Sequence, residues 1–142
     1  EAMQPEFIAY QKSVLENACI LASELQQHGL RVVSGGTDNH LILVDLSSIG
    51  MNGKDAEEAL EASGILVNRN TIPFDPKPPR ITSGIRLGTA AVTTRGFGVD
   101  EMNRIASLIS LVLSSPSDEH VKEQTRQEVK EMCQQFPIPG RA

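Results

Sequence analysis

The chain lacks an excess of positive charge. Its 13 lysines and arginines are outnumbered by 18 aspartates and glutamates, for a net charge of −5 and a pI near 5.2. A surface of that sign argues against nucleic acid or an anionic membrane as the main partner. No apolar run approaches the length of a membrane span, and no secretory n-region and h-region opens the sequence, so a cytoplasmic protein is expected. Cysteine is scarce. Cys19 and Cys133 lie far apart, each within a helical pattern, and neither has a second ligand at a metal-binding spacing. Reduced, packed thiols are the expectation. Internal repeats and low-complexity segments are missing as well. What is present is a chain of 142 residues, 39% hydrophobic, which suits a single domain over residues 1–142 with its own core.

Hydrophobic periodicity orders the chain. Phe7, Tyr10, Val14, Ala18, Leu21 and Leu25 recur at helical spacing, which predicts one amphipathic helix over 5–27, with Pro5 in its first turn and Gly29 just past its end. Leu30 to Val33 and His40 to Leu46 read as two strands of an antiparallel hairpin, because the connection between them is too short for a parallel crossover. Asn52 is positioned to cap a helix over 53–63, with Asp55 near the capping-box position. Its buried stripe would be Ala56, Ala59, Leu60 and Ser63, leaving Glu57, Glu58 and Glu61 on a solvated acidic face. Ile65 to Val67 is expected as a third strand. Pro73, Pro76, Pro78 and Pro79 make residues 68–80 an irregular loop. A strand through residues 81–89 follows. After it come a short helical turn capped by Thr89, a helix over 99–114, and a last helix starting at Ser115-Pro116 with Val121, Val129, Met132 and Phe136 inward. The fold class is therefore α/β in two layers: a small, mainly antiparallel sheet of three or four strands with helices on one face.

Ile81-Thr82-Ser83-Gly84-Ile85-Arg86-Leu87-Gly88-Thr89 is the stretch with chemistry in it. Ile85 and Leu87 would point to one face and Arg86 to the other, between two glycines that let a ligand or another backbone come close. An arginine so presented can grip a carboxylate with two parallel hydrogen bonds. It can equally be an edge-strand arginine in a surface salt bridge, and spacing alone favours that second reading. Asn70, just ahead of the prolines, carries an amide that can donate and accept at once, as the edge of a heterocycle requires; by itself, the reading as a turn-forming residue is favoured. Gly35-Gly36 is weak evidence for an anion cradle, since no lysine or helix start follows. His28 is expected as a solvated residue at a helix end, and His40 as a loop histidine with a structural hydrogen bond.

Two blocks add a resemblance. Ser34-Gly35-Gly36-Thr37-Asp38-Asn39-His40 and Thr82-Ser83-Gly84-Ile85-Arg86-Leu87-Gly88-Thr89, the latter extended by Thr94-Arg95-Gly96-Phe97, resemble signatures of serine hydroxymethyltransferase in order and separation. The family's catalytic chain is much longer, and this sequence is similar to its C-terminal portion, with residues 1–28 as the connecting helix and the N-terminal pyridoxal phosphate domain absent. Ala90 departs from the family pattern, which has proline there.

The resemblance implies the small domain of the aspartate-aminotransferase-like fold. It implies a part in a reaction that converts serine and tetrahydrofolate to glycine and 5,10-methylenetetrahydrofolate, with pyridoxal 5'-phosphate as electron sink. Arg86 then resembles the arginine that binds the substrate carboxylate. Asn70 resembles the asparagine that contacts folate. Arg95 takes no role from the resemblance, and the Ser34–His40 block resembles the corner that seats this domain. The cofactor needs a lysine, yet Lys12, Lys54, Lys77, Lys122 and Lys130 all lack the family's cofactor-lysine context. The chain alone is therefore not expected to be catalytic. Its implied partners are the missing N-terminal domain and further copies, as a homodimer or tetramer. A stand-alone amino-acid-binding or interaction module remains the alternative.

Overall fold

The computed structural model of the chain describes residues 4–140. Its longest element, α1 (Pro5–Gln27), buries Val14, Ala18, Leu21 and Leu25 of the predicted stripe. Phe7 departs from that expectation and lies exposed near the first turn. Buried Asn17 joins the apolar face instead, because its amide finds partners there: Nδ2 donates to Thr93 Oγ1 and to the Phe97 carbonyl, each at 2.9 Å. Past the helix, Gly29 adopts φ 84°, a left-handed conformation that a side chain resists. Its N–H and that of Leu30 return to the Gln26 and Leu25 carbonyls and close the helix end.

Four antiparallel strands form one sheet: β1 (Arg31–Val32), β2 (Leu41–Asp45), β3 (Asn68–Asn70) and β4 (Gly84–Gly88), in the spatial order β1-β2-β4-β3. The hairpin of β1 and β2 is as expected, with Val32 opposite Val44, but β1 is short. Val33–Gly35 forms a 3-10 turn in which Ser34 takes φ 64°, so the chain leaves the ladder early. The third strand is not Ile65–Val67. Ile65 and Val67 are half-buried against the core and Leu66 is exposed, and the ladder forms one step later at Asn68–Asn70. The predicted loop is correspondingly shorter and begins after Asn70.

The helices α2 (Gly53–Ala62), α3 (Ala90–Thr94), α4 (Val99–Ser114) and α5 (Glu119–Gln135) join α1 on one face of this sheet. Val32, Ile42, Val44, Ile85 and Leu87 point inward to meet Leu25, Leu60, Met102, Ile109 and Val112. Each large side chain so buried contributes about 1.5–3 kcal/mol.

Asn52 caps α2 as expected. Its Oδ1 accepts from the Asp55 N–H at 2.9 Å and its Nδ2 donates to the Asp55 carboxylate at 2.7 Å. Ala56, Ala59, Leu60 and Ser63 are all buried. Thr89 does not cap α3 with its side chain. Its hydroxyl donates to the Val14 carbonyl of α1 at 2.9 Å, while the Tyr10 hydroxyl donates to the Ala90 carbonyl at 3.1 Å. The start of α5 also differs. Asp118 is its cap, accepting from the His120 and Val121 N–H groups, so Pro116 sits in the preceding turn. Val121, Val129, Met132 and Phe136 are half-buried, and Thr125 is the fully buried member of α5. No helix among the described residues is long and apolar enough to cross a membrane.

Candidate functional site: the open sheet face around Arg86

Strand β4 lies between β2 and β3, so Arg86 is not on an edge. Leu43 and Asn68 stand opposite it on the neighbouring strands. The expected alternation holds: Ile85 and Leu87 are buried, and Arg86 is exposed on the face without helices. The ion pairs among the described residues leave Arg86 out, so its guanidinium is not spent on a protein carboxylate. The surface salt bridge that spacing favoured is not formed among the described residues.

Asn70 pairs with Gly84 and Asn68 with Arg86, so Asn70 and Arg86 are diagonal neighbours on one face, about 7–8 Å apart by ladder geometry. Gly84 permits this arrangement: a Cβ there would lie 2.8 Å from the Val44 carbonyl oxygen and 2.9 Å from that of Asn70. Asn70 Nδ2 donates to the Thr71 carbonyl at 2.9 Å, leaving one amide hydrogen and Oδ1 for a ligand. Both residues line an open concavity of about 620 Å³, with Leu41 and Leu43 on its floor.

The opposite wall is the β1–β2 connection, including Ser34, Thr37 and Asp38. That connection is stiffened locally. The Thr37 hydroxyl donates to the Leu41 carbonyl at 2.6 Å, and Asn39 Oδ1 accepts from the Leu41 N–H at 2.8 Å. The block that reads as a structural corner is thus also a wall of the site, and it brings the Asp38 carboxylate into the same concavity as Arg86. The His40 side chain takes no part in the lining; its carbonyl accepts from the Thr89 N–H.

Between β3 and β4 the proline-rich segment is organised by Asp75, a residue that no local pattern singles out. One carboxylate oxygen accepts from the Lys77 N–H at 2.9 Å and the Ser83 hydroxyl at 2.7 Å. The other accepts from the Ser83 N–H at 2.8 Å and the Ile72 N–H at 3.2 Å. Partial burial pushes this carboxyl up. The N–H groups of Lys77, Ser83 and Ile72 and the Ser83 hydroxyl outweigh that effect and bring it down to about 2. Asp45, at the rim of the same sheet face, is likewise held below the usual carboxylate range. Its burial raises it, but the Ser47 N–H and hydroxyl and the Arg31 guanidinium prevail. Just before β4, Thr82 holds φ 58°, an unusual conformation for a β-branched residue. Its hydroxyl donates to the Gly84 carbonyl at 3.0 Å.

Comparison with known families decides what this arrangement belongs to: the family model for serine hydroxymethyltransferase matches residues 1–109. The chain belongs to the serine hydroxymethyltransferase family. The matched stretch contains both signature blocks and the whole sheet, and it ends inside α4. Pyridoxal phosphate, which this family uses, is anchored through a lysine amine. No lysine lines the concavity, so the residues there do not fit that attachment.

Helix α5 lies beyond the matched residues and is strapped on by arginines. Arg95, at the end of α3, donates from Nε to the Phe136 carbonyl and from an Nη to the Cys133 carbonyl, both at 2.7 Å, at the C-terminal end of α5. Its guanidinium carbon also lies 6.0 Å from the centre of the Phe97 ring, which meets Phe136 edge-on. Arg126 of α5 donates to the Ala62 carbonyl that ends α2, and Arg104 pairs with Glu128. Cys133 is a half-buried free thiol, whereas Cys19 is exposed rather than packed, with its thiol directed at the Thr37 carbonyl. His28 is exposed, with Nε2 3.3 Å from the Ser107 hydroxyl.

Proposed function

We propose that this chain serves as the C-terminal part of a pyridoxal-phosphate-dependent serine/glycine hydroxymethyltransferase, in which Arg86 binds the amino-acid carboxylate and Asn70 contacts folate. The reaction takes serine and tetrahydrofolate to glycine and 5,10-methylenetetrahydrofolate. The observation that carries the reading is Arg86 itself: an exposed guanidinium on an interior strand, without an ion pair among the described residues, in a concavity shared with Asn70. A planar fork fixed in this way holds a carboxylate in one orientation, and so sets the bonds at the α-carbon as well as affinity. Asn70 retains a donor and an acceptor for a mixed heterocycle edge such as a pterin. Pyridoxal phosphate supplies the electron sink when bound. Its lysine comes from the cofactor-binding portion, which joins this chain as a partner domain in a homodimer or tetramer.

The test is a serine titration of the complete enzyme, followed through the cofactor's absorbance. Arg86→Ala removes a charge-assisted bidentate contact and leaves a carboxylate unpaired, at a cost of about 3–5 kcal/mol, so serine affinity falls more than a hundredfold. Arg86→Lys restores little, because an ammonium keeps the charge and loses the fork. Near-normal serine affinity in Arg86→Ala would place the carboxylate elsewhere.

A further inference from the structure

The separation of Asn70 from Arg86 depends on a strand with little to define it. Strand β3 has three residues, lies at the edge of the sheet, and is joined to β4 by residues 71–83, a long irregular connection. Short polar edge strands specify their register weakly, and a slip of one residue turns every side chain to the opposite face. Here such a slip would remove Asn70 from the concavity altogether. Glu57 of α2 also holds β3, by accepting the Arg69 N–H at 3.1 Å and pairing with the Arg69 guanidinium at 3.2 Å. Those bonds come from a long side chain that can follow a small shift.

Asp75 differs in kind. Its two oxygens bind main-chain N–H groups on both sides of the connection: Ile72, two residues after Asn70, and Ser83, the residue before β4. The Lys77 N–H and the Ser83 hydroxyl complete four bonds, so the short carboxylate is saturated and its geometry is determined. With Ile72 held there, its side chain lies over Gly84, where Cγ2 stands 2.7 Å from the position a Cβ would occupy. The prolines at 73, 76, 78 and 79 restrict the backbone between these anchor points.

We propose that Asp75 is a positioning residue: its carboxylate locks the register of β3 on β4 and so fixes Asn70 beside Arg86. The register lock stands on geometry alone; its importance for substrate rests on the reading of Arg86 and Asn70 given above. Lengthening, shifting or removing this one carboxylate uncouples the two ligand-facing side chains without touching either.

The register is read directly by nuclear magnetic resonance of the 142-residue chain carrying Asp75→Ala. The expected result is loss or displacement of the cross-strand contacts that link Asn68 with Arg86 and Asn70 with Gly84, while those between Val44 and Ile85 persist. A merely stabilising role would lower the unfolding midpoint and leave the contacts in place, and that result overturns the proposal. Should Asp75→Ala not fold, Asp75→Asn, which keeps the size and one acceptor oxygen, carries the same two outcomes. Ser83→Ala keeps both main-chain anchors and is expected to retain the native register. In the complete enzyme, Asp75→Ala should weaken folate binding by about tenfold and serine binding far less, because Asn70 on β3 is displaced while Arg86 stays on β4 against β2. Unchanged folate affinity overturns the positioning role. If instead Arg86→Ala leaves serine binding intact, the functional reading fails while the register result stands.

Discussion

Gly53→Ala, at the first residue of α2, should be among the most destabilising single substitutions in the chain. The Gly53 N–H donates to the Thr82 carbonyl and the Lys54 N–H to the Ile81 carbonyl, both at 3.0 Å, so the helix start is plugged into the segment that leads to Arg86. A Cβ at position 53 would lie 2.0 Å from Thr82 Oγ1, 2.3 Å from the Gly84 carbonyl oxygen and 3.2 Å from that of Ile81. Two of those atoms are main chain. The third belongs to a side chain that is 2% exposed and already committed to the Gly84 carbonyl. The helix start must therefore retreat. Overpacking costs about 1–3 kcal/mol. The two strained or lost hydrogen bonds add about 0.5–1.5 kcal/mol each. Replacing glycine by alanine in a helix returns at most about 1 kcal/mol. The net loss is about 3 kcal/mol, which at a urea slope of about 1.5–2 kcal/mol/M lowers the unfolding midpoint by about 1.5–2 M. Equilibrium urea unfolding of the chain, followed by circular dichroism, measures this. Gly36→Ala, where an added Cβ meets nothing within 4 Å, is the matched control. A Gly53→Ala midpoint within about 0.3 M of the native chain would refute the packing argument.

Two more outcomes are expected. Arg95→Ala removes both bonds to the end of α5 and should loosen that helix by about 2 kcal/mol. Hydrogen exchange near residues 130–135 should speed up by at least about tenfold while the sheet stays protected, and unchanged exchange there would mean that packing of Phe136 alone holds the helix. The second outcome concerns acid. Asp75 sits at about 2 when folded against 3.8 for a free carboxyl, so its stabilisation is complete above about pH 4 and is lost as pH falls towards 2. After allowance for solvent screening this amounts to about 1 kcal/mol. Asp45 adds in the same direction. Urea midpoints recorded from pH 5 to pH 2 should fall less steeply for Asp75→Asn than for the native chain; parallel curves would show that Asp75 does not contribute.

The parts legible in the sequence are those written in local pattern. Ile85, Arg86 and Leu87 alternate in polarity with the period of a strand, so residue order alone assigns the two faces of β4. Asn52 and Asp55 stand three residues apart, and that spacing is the whole of their interaction. Strand β3 is hidden because Asn68-Arg69-Asn70 has none of the composition of a strand; the free edge of β4 and Glu57 make it one. Thr89 mimics a helix cap, yet its hydroxyl finds Val14, a partner no local rule can supply. Arg95 takes no role from local pattern for the same reason, its acceptors being the Cys133 and Phe136 carbonyls. Asp75 looks like any turn aspartate, because its value depends on a fold that returns Ser83 to it.

The bonds between α1 and the segment after β4 have a mechanical consequence. Thr89 follows Arg86 by three residues and is tied to Val14. Ala90 is tied to Tyr10, and Thr93 and Phe97 to Asn17. Helix and strand form a crank: α1 is bonded to the segment that begins directly after β4, so the two move together. Displacement of α1 therefore reaches the strand that carries Arg86 as travel of one body, on the order of microseconds to milliseconds, while the exposed guanidinium at its tip turns on the order of picoseconds to nanoseconds.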